Sequence, residues 1–179
     1  HELYCLGHLI EAAVAYKRAT GKDKLLRAMC KYTDYVIKVF KEENSAGFAT
    51  PGHPELELAL MKLYKETGEK KYADLALHFI DLHGANDKDG ERLWWMANKN
   101  YNQDEVPLRD RTTADGHAVR ALYLLSGMAD VAAEYNDTAL LDACKRCFDN
   151  VSTKSMYITG GVGSSPQGEA FTVDYDLPN

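Results

Sequence analysis

Three histidines open three successive helical segments of this chain: His1, His53 in Gly52-His53-Pro54-Glu55, and His117 in Gly116-His117. Neutral imidazole donates and accepts hydrogen bonds, which suits sugar hydroxyls, and it also binds metals. Further on lies a Gly-rich stretch, Tyr157-Ile158-Thr159-Gly160-Gly161-Val162-Gly163-Ser164, followed by Gly168-Glu169-Ala170-Phe171. A glutamate held among glycine backbone and aromatics can acquire a raised pKa and serve as a general acid. The glycines lack the spacing of a phosphate-binding loop, so no nucleotide site is expected. Trp94, Trp95 and Tyr101 add aromatic faces that stack on sugars. Each feature also has a plain structural reading: histidines that cap helices, tryptophans that anchor a loop, a glutamate that is solvated.

Six helix-like segments would carry these residues. Segments 2–19, 54–66 and 114–134 are apolar over most of their circumference. Segments 24–41, 70–83 and 138–150 carry one apolar stripe; Tyr72, Leu75, Ala76, Phe79 and Ile80 fall at helical spacing. A helix apolar nearly all round needs cover on several sides, whereas a striped one faces solvent. The alternation of inner and outer helices predicts an all-α chain of about three helical hairpins in a two-layered ring or solenoid.

The connections alternate too. Short turns at Gly21, Gly68 and Asn136-Asp137 join inner to outer helices, with Gly or Asn in a left-handed conformation. Long loops at 42–52, 84–113 and from 152 onward lead back. Long loops inside compact domains are usually functional, so the long-loop rim is the expected active rim. Aligning the Gly21 and Asp137 turns places His1 and His117 in the same register. His53 comes from a related position. All three histidines are expected at one mouth.

The bulk numbers exclude other classes. A chain of 179 residues with 45% apolar and 27% charged residues is long and apolar enough for one folded core. A net charge of −6 and scattered basic residues give no nucleic-acid-binding face. No stretch is long enough to span a membrane. The compartment is left open, with the cytoplasm as the favoured expectation. Cys144 and Cys147 form a C-x-x-C inside a helical segment, without a second C-x-x-C or nearby His pair, and are read as small apolar helix residues. Cys5 and Cys30 lie on apolar helix faces and are expected in the core.

Five motifs in order carry a resemblance over essentially the whole chain: His1-Glu2-Leu3-Tyr4-Cys5 with Gly7-His8-Leu9; Pro51-Gly52-His53-Pro54-Glu55; Gly116-His117-Ala118-Val119-Arg120-Ala121; Met156-Tyr157-Ile158-Thr159-Gly160-Gly161; and Gly168-Glu169-Ala170-Phe171 through Asp174-Tyr175-Asp176-Leu177-Pro178-Asn179. Together they resemble the catalytic domain of glycoside hydrolase family 127, the β-L-arabinofuranosidase group. The resemblance implies an (α/α)6 barrel, of which residues 1–179 would be a fragment. It implies a retaining glycosidase acting on arabinose-containing glycans, with Glu169 as acid/base and His1, His53 and His117 contacting the sugar. It further implies zinc and a zinc-bound cysteine nucleophile. Their ligands, another Glu and three Cys, are expected beyond Asn179, so no metal ligand is expected within this chain and the piece is expected to be inactive alone. Arg109-Asp110-Arg111 stands where relatives often read R-E-Q, in a loop that bears on substrate preference. The partner implied is carbohydrate, with self-association through exposed barrel edges.

Two other readings remain open from the residues. One is a helical-repeat interaction scaffold without chemistry, against which stands the unequal spacing of Gly21, Gly68 and Asp137. The other is a sugar epimerase on a similar helical barrel, using histidines without cysteine-bound zinc.

Overall fold

The computed structural model describes residues 1–85 and 98–178. Six α-helices follow in order: α1 Glu2–Thr20, α2 Lys24–Ile37, α3 Leu56–Thr67, α4 Lys70–Leu82, α5 Ala118–Tyr135 and α6 Thr138–Asn150. They pair as three antiparallel hairpins, α1–α2, α3–α4 and α5–α6. The long-separation contacts run α1 to α3 and α3 to α5, so the odd-numbered helices form an inner layer. Among the described residues there is no β-strand, only isolated bridges. The expected alternation of inner and outer helices is what the chain forms.

The short turns end in left-handed residues as expected: Gly21 at φ 73°, Gly68 at φ 76° and Asn136 at φ 54°. Each returns its N–H to a carbonyl of the preceding turn, Lys17, Tyr64 and Ala132 respectively. Glycine reaches this conformation at no steric cost, and Asn tolerates it better than other residues. The outer helices α2 and α6 each run on into a wider π turn, Lys38–Glu42 and Val151–Ser155.

The central inner helix α3 is covered on nearly every side. Leu56, Leu58, Ala59, Leu60, Met61 and Leu63 are all buried. Its first turn presses on a glycine of each inner neighbour. A Cβ on Gly7 of α1 would meet Glu55, and one on Gly127 of α5 would lie 2.8 Å from Glu57 Cβ. Helix α4 contributes the expected stripe, Tyr72, Leu75, Ala76, Phe79 and Ile80; α6 buries Leu140, Ala143 and Cys147, while Leu141, expected with Leu140 in its stripe, is exposed. Phe148, one residue beyond Cys147, points out and is exposed.

Two expectations need correction. Helix α5 starts at Ala118, not near 114. Residues 114–117 are a non-helical connection with Gly116 at φ 69°, held by the Ala114 N–H to Asn150 Oδ1 bond and by a bridge between His117 and Ala170. The Asn150 carboxamide and the bridge to Ala170 satisfy this backbone without a further helical turn. Cys5 is exposed rather than in the core, while Cys30 packs against it. Among the described residues no helix lies beside the outward face of α1, and Leu9 and Tyr16 on that helix are also exposed. On the other flank Val119 and Leu122 of α5 are likewise exposed. A helix apolar all round is thus buried on one side only at the two ends of the row.

Candidate active site

The three sequence-selected histidines converge. His1 is the N-cap of α1 and His117 the N-cap of α5; His53 lies two residues before Glu55, the N-cap of α3. The His1 and His53 rings are 6.1 Å apart between centroids, and His53 and His117 are 5.7 Å apart. Parallel inner helices with equivalent starts place these side chains on one rim.

Hydrogen bonds assign their protons. His53 Nδ1 lies 2.9 Å from the Pro54 carbonyl, which can only accept, so Nδ1 carries the hydrogen and Nε2 keeps its lone pair. Burial, then the nearby Arg120 charge, holds the His53 pKa below its ordinary value and keeps the ring neutral. His117 Nδ1 accepts the Arg120 backbone N–H at 3.4 Å, a capping contact at the start of α5. Its Nε2 therefore carries the hydrogen, and faces Glu169 Oε2 at 2.9 Å. The site thus holds an imidazole acceptor at His53 beside an imidazole donor that grips the Glu169 carboxylate.

Glu169 comes from the far end of the chain, in the short turn Gln167–Glu169. Its own φ is 50°, and its side chain is 76% exposed, so it reaches the site from the solvent side. The exposed face is where a substrate would arrive, while the His117 face is buried.

Residues that sequence reasoning passed over complete the rim. Tyr4 packs on His53 and on His8, each 4.5 Å between centroids. Tyr123 stands edge-on to His8 at 5.9 Å. Arg120 is buried, donates from Nη1 to the Gly52 carbonyl at 2.6 Å, and lies 5.4 Å from the centre of the Tyr101 ring. It ties the start of α5 to the loop that carries His53, and so sets the spacing of His53 and His117. The signal for Tyr4 and His8 was available: with His1 they fall at i, i+3, i+7 on one helix face. Nothing local marked Arg120.

Beneath the rim lies Glu55. Its side chain is buried, and neither carboxyl oxygen has a hydrogen bond; His8 Nδ1 is 3.6 Å away. Burial, and then the charges of Glu11 and Glu57, push its pKa up to about 8. Its backbone, at φ 149° and ψ −34°, is in a region that L-residues rarely adopt. The Glu55 N–H is satisfied by Glu57 Oε2 at 3.2 Å.

The expected aromatic pair Trp94 and Trp95 lies outside the described residues. Tyr101 does reach the site, 5.4 Å from His117 between centroids. Arg109 does not: its guanidinium joins Asp81 on α4 to Asp137 at the start of α6, each at 2.8 Å. Arg111 is buried and points to Asp115. This part of the loop packs the outer wall.

Among the described residues no group of three or more His, Cys, Asp or Glu side chains could hold a metal ion. Burial pushes the Cys144 and Cys147 thiols up to about 11, and they face the carbonyls of Leu125 and Thr113. A buried, neutral thiol donating to a carbonyl is the opposite of a thiolate ligand. The described residues therefore do not fit a zinc centre. No described helix is long and apolar enough to cross a membrane.

Known proteins share both sequence and geometry with this chain. The model of the β-L-arabinofuranosidase GH127 catalytic domain matches residues 1–179. A non-reducing end β-L-arabinofuranosidase of Bifidobacterium longum subsp. longum is 43% identical over 191 aligned positions, covering 100% of this chain and 29% of that protein. The crystal structure of a GH127 β-L-arabinofuranosidase from Geobacillus stearothermophilus T6 superposes with a TM-score of 0.93 at 48% identity, over 100% of this chain and 30% of that one. A further GH127 β-arabinofuranosidase structure gives 0.89 at 43% identity, over 100% and 27%. The chain thus spans less than a third of the length of these relatives.

Proposed function

The chain belongs to the β-L-arabinofuranosidase GH127 catalytic-domain family, and from that premise we propose that it forms three hairpins of a larger (α/α)6 barrel and carries the acid/base half of a retaining glycosidase acting on arabinose-containing glycans. The observation that supports this most directly is the His117–Glu169 contact of 2.9 Å beside His53 and His1. A helical scaffold without chemistry has no use for three imidazoles and a carboxylate on one rim.

On this reading a terminal arabinofuranose lies over the imidazoles. The free Nε2 of His53 accepts a hydroxyl hydrogen. Tyr4 and Tyr101 supply aromatic faces that exclude water and stack on the ring. Glu169, in its protonated state, gives its proton to the departing glycosidic oxygen, and later takes one from the water that releases the sugar. The N–H of His117 Nε2 holds the carboxylate between these two steps. The resemblance itself places the nucleophile and the zinc ligands outside residues 1–179. Residues 1–179 alone would then bind sugar weakly and turn over nothing. The exposed faces of α1 and α5 are where further hairpins, or a second copy, would pack.

Arabinose release from a β-L-arabinofuranosyl disaccharide, followed by chromatography, tests this reading in the full-length protein. Release of L-arabinose is expected from the full-length protein and not from residues 1–179. Conversion of a free sugar to its epimer, with no cleavage of the glycoside, would replace the hydrolase reading with the epimerase one.

A further inference from the structure

The loop before α5 contains a residue whose side chain is used for one purpose. Gln103 is buried, with 1% of its surface exposed, although it stands in a loop. Its Nε2 donates to the carbonyls of Tyr101 and Asp115, both at 2.9 Å, and approaches that of His117 at 3.4 Å. Its backbone is left-handed, φ 60°, a conformation that strains a non-glycine residue. A strained residue whose buried Nε2 is shared among backbone carbonyls, while its Oε1 meets no hydrogen-bond partner among the described residues, points to a geometric constraint nearby.

The constraint is the His117 segment. The Tyr101 carbonyl accepts the His117 N–H at 3.4 Å, and the Tyr101 ring packs on the His117 ring. The two chains approach so closely at Gly116 that a Cβ there would lie 2.2 Å from the Asn100 carbonyl oxygen. On its other side the same segment pairs with the strand-like stretch that follows Glu169. Phe171 N–H donates to the Gly116 carbonyl at 2.8 Å, and His117 bridges Ala170. Residues 98–104, 115–117 and 169–171 therefore lie edge to edge.

The outer edge of this stack is fastened to the helical wall. Asp104, next to Gln103, meets His83 Nδ1 at 2.5 Å, and the other ring nitrogen of His83 faces Glu57 of α3 at 3.8 Å. His83 and Glu57 are buried. The strap is thus anchored to the end of α4, and Gln103 Nε2 and the Tyr101 backbone tie it to the His117 segment.

We propose that Gln103 is a positioning residue for the acid/base carboxylate: its buried carboxamide holds the His117 backbone, and through His117 it sets where the Glu169 carboxyl stands. This rests on the glycosidase reading above for its consequence in catalysis, but not for its geometry. Gln103 is buried and acts through the backbone of the His117 segment.

Two measurements separate this role from a general contribution to folding. The first is kinetic, in the full-length protein. Gln103→Leu removes both donors, and is compared with wild type on a β-L-arabinofuranosyl disaccharide and on an aryl arabinofuranoside with a good leaving group. A displaced acid harms the first substrate most, so kcat on the disaccharide should fall at least tenfold more than kcat on the aryl glycoside, with KM little changed. Equal losses on both substrates, or no loss, overturn the proposal. Gln103→Glu keeps the shape and loses the donors, and should show the same split; Gln103→Asn should not rescue it, because its amide falls one methylene short.

The second measurement needs no turnover. The imidazole 15N signals of His117 report its Nε2–H tautomer and its contact with Glu169. In Gln103→Leu these signals should shift toward the averaged pattern of a free ring. An unchanged His117 signature in a folded variant overturns the proposal even if the rate falls. If the wild-type protein cleaves no arabinofuranoside but the His117 signals move as expected, the positioning stands and the glycosidase reading fails. Should Gln103→Leu not fold, Asp104→Asn weakens the anchor one residue along, and the same two readouts apply.

Discussion

The carboxyl group of Glu55 occupies the space that a side chain on Gly7 would need: a Cβ on Gly7 would lie 1.5 Å from Glu55 Oε2 and 2.7 Å from its Cδ. Helices α1 and α3 approach each other through this absence. The imidazole of His8, one residue along α1, lies 3.6 Å from that carboxyl. The floor of the histidine rim is therefore a close helix crossing with a buried acid inside it.

Gly7→Ala should destabilise the chain by about 1–3 kcal/mol, the usual range for forcing extra volume into a packed site. The Leu56 Cα, 3.2 Å from the added Cβ, leaves no backbone room. Urea denaturation monitored by circular dichroism measures the loss. Removing the obstructing side chain as well, in Gly7→Ala with Glu55→Ala, should recover part of it. A double variant less stable than the sum of the two singles would show that the crowding is not between these residues.

Stability should fall as pH rises, for two reasons that can be separated. The buried Glu55 carboxyl titrates at about 8 when folded and near 4.5 when exposed, so the folded chain holds a proton the unfolded one has lost, and stability declines between those values. For His83, burial opposes the imidazolium, but its bonds to Asp104 and Glu57 outweigh that and raise it to about 9. Its contribution is complete below the ordinary histidine value of 6.5 and is lost on passing about 9. Melting temperatures across this range should drop on the alkaline side. Glu55→Gln should flatten the lower part of the curve and leave the part governed by His83. A melting temperature that climbs from pH 5 to pH 9 would contradict both assignments.

Glu169→Gln in the full-length protein should lose about 10²–10⁴-fold on a natural disaccharide, the typical worth of general acid–base assistance. The loss on an activated aryl glycoside should be far smaller. The glycosyl intermediate then forms but decays slowly, and azide should partly restore turnover. The same loss on both substrates, without rescue, would make Glu169 a sugar-binding or structural residue.

Native alkylation should discriminate among the four cysteines of residues 1–179. Cys5 is exposed, whereas Cys144 and Cys147 are held as neutral thiols by burial. Iodoacetamide near neutral pH, followed by peptide mass spectrometry, should label Cys5 first and leave Cys147 unmodified until the chain unfolds. Rapid labelling of Cys147 would reopen a redox or metal role for the C-x-x-C.

The helices and their order were legible from the chain because their causes are local. A stripe such as Tyr72, Leu75, Ala76, Phe79 and Ile80 repeats with the helical period, and Gly21, Gly68 and Asn136 terminate helices through their own backbone preferences. The convergence of His1, His53 and His117 followed from that order, since equivalent helix starts fall on one rim. Glu169 was marked by its Gly-rich, aromatic context and by the resemblance, but its contact with His117 was not legible, because the two lie 52 positions apart (169 − 117) and no periodicity links them. The start of α5, the exposure of Cys5, the buried carboxyl of Glu55 and the burial of Gln103 were settled by packing. Each depends on what a distant segment places alongside: Asn150 beside Ala114, no described helix beside the outer face of α1, Gly7 opposite Glu55, and three carbonyls around one loop amide. Local patterns carry no information about such neighbours, because a buried polar side chain is written in the sequence with the same letter as a solvated one.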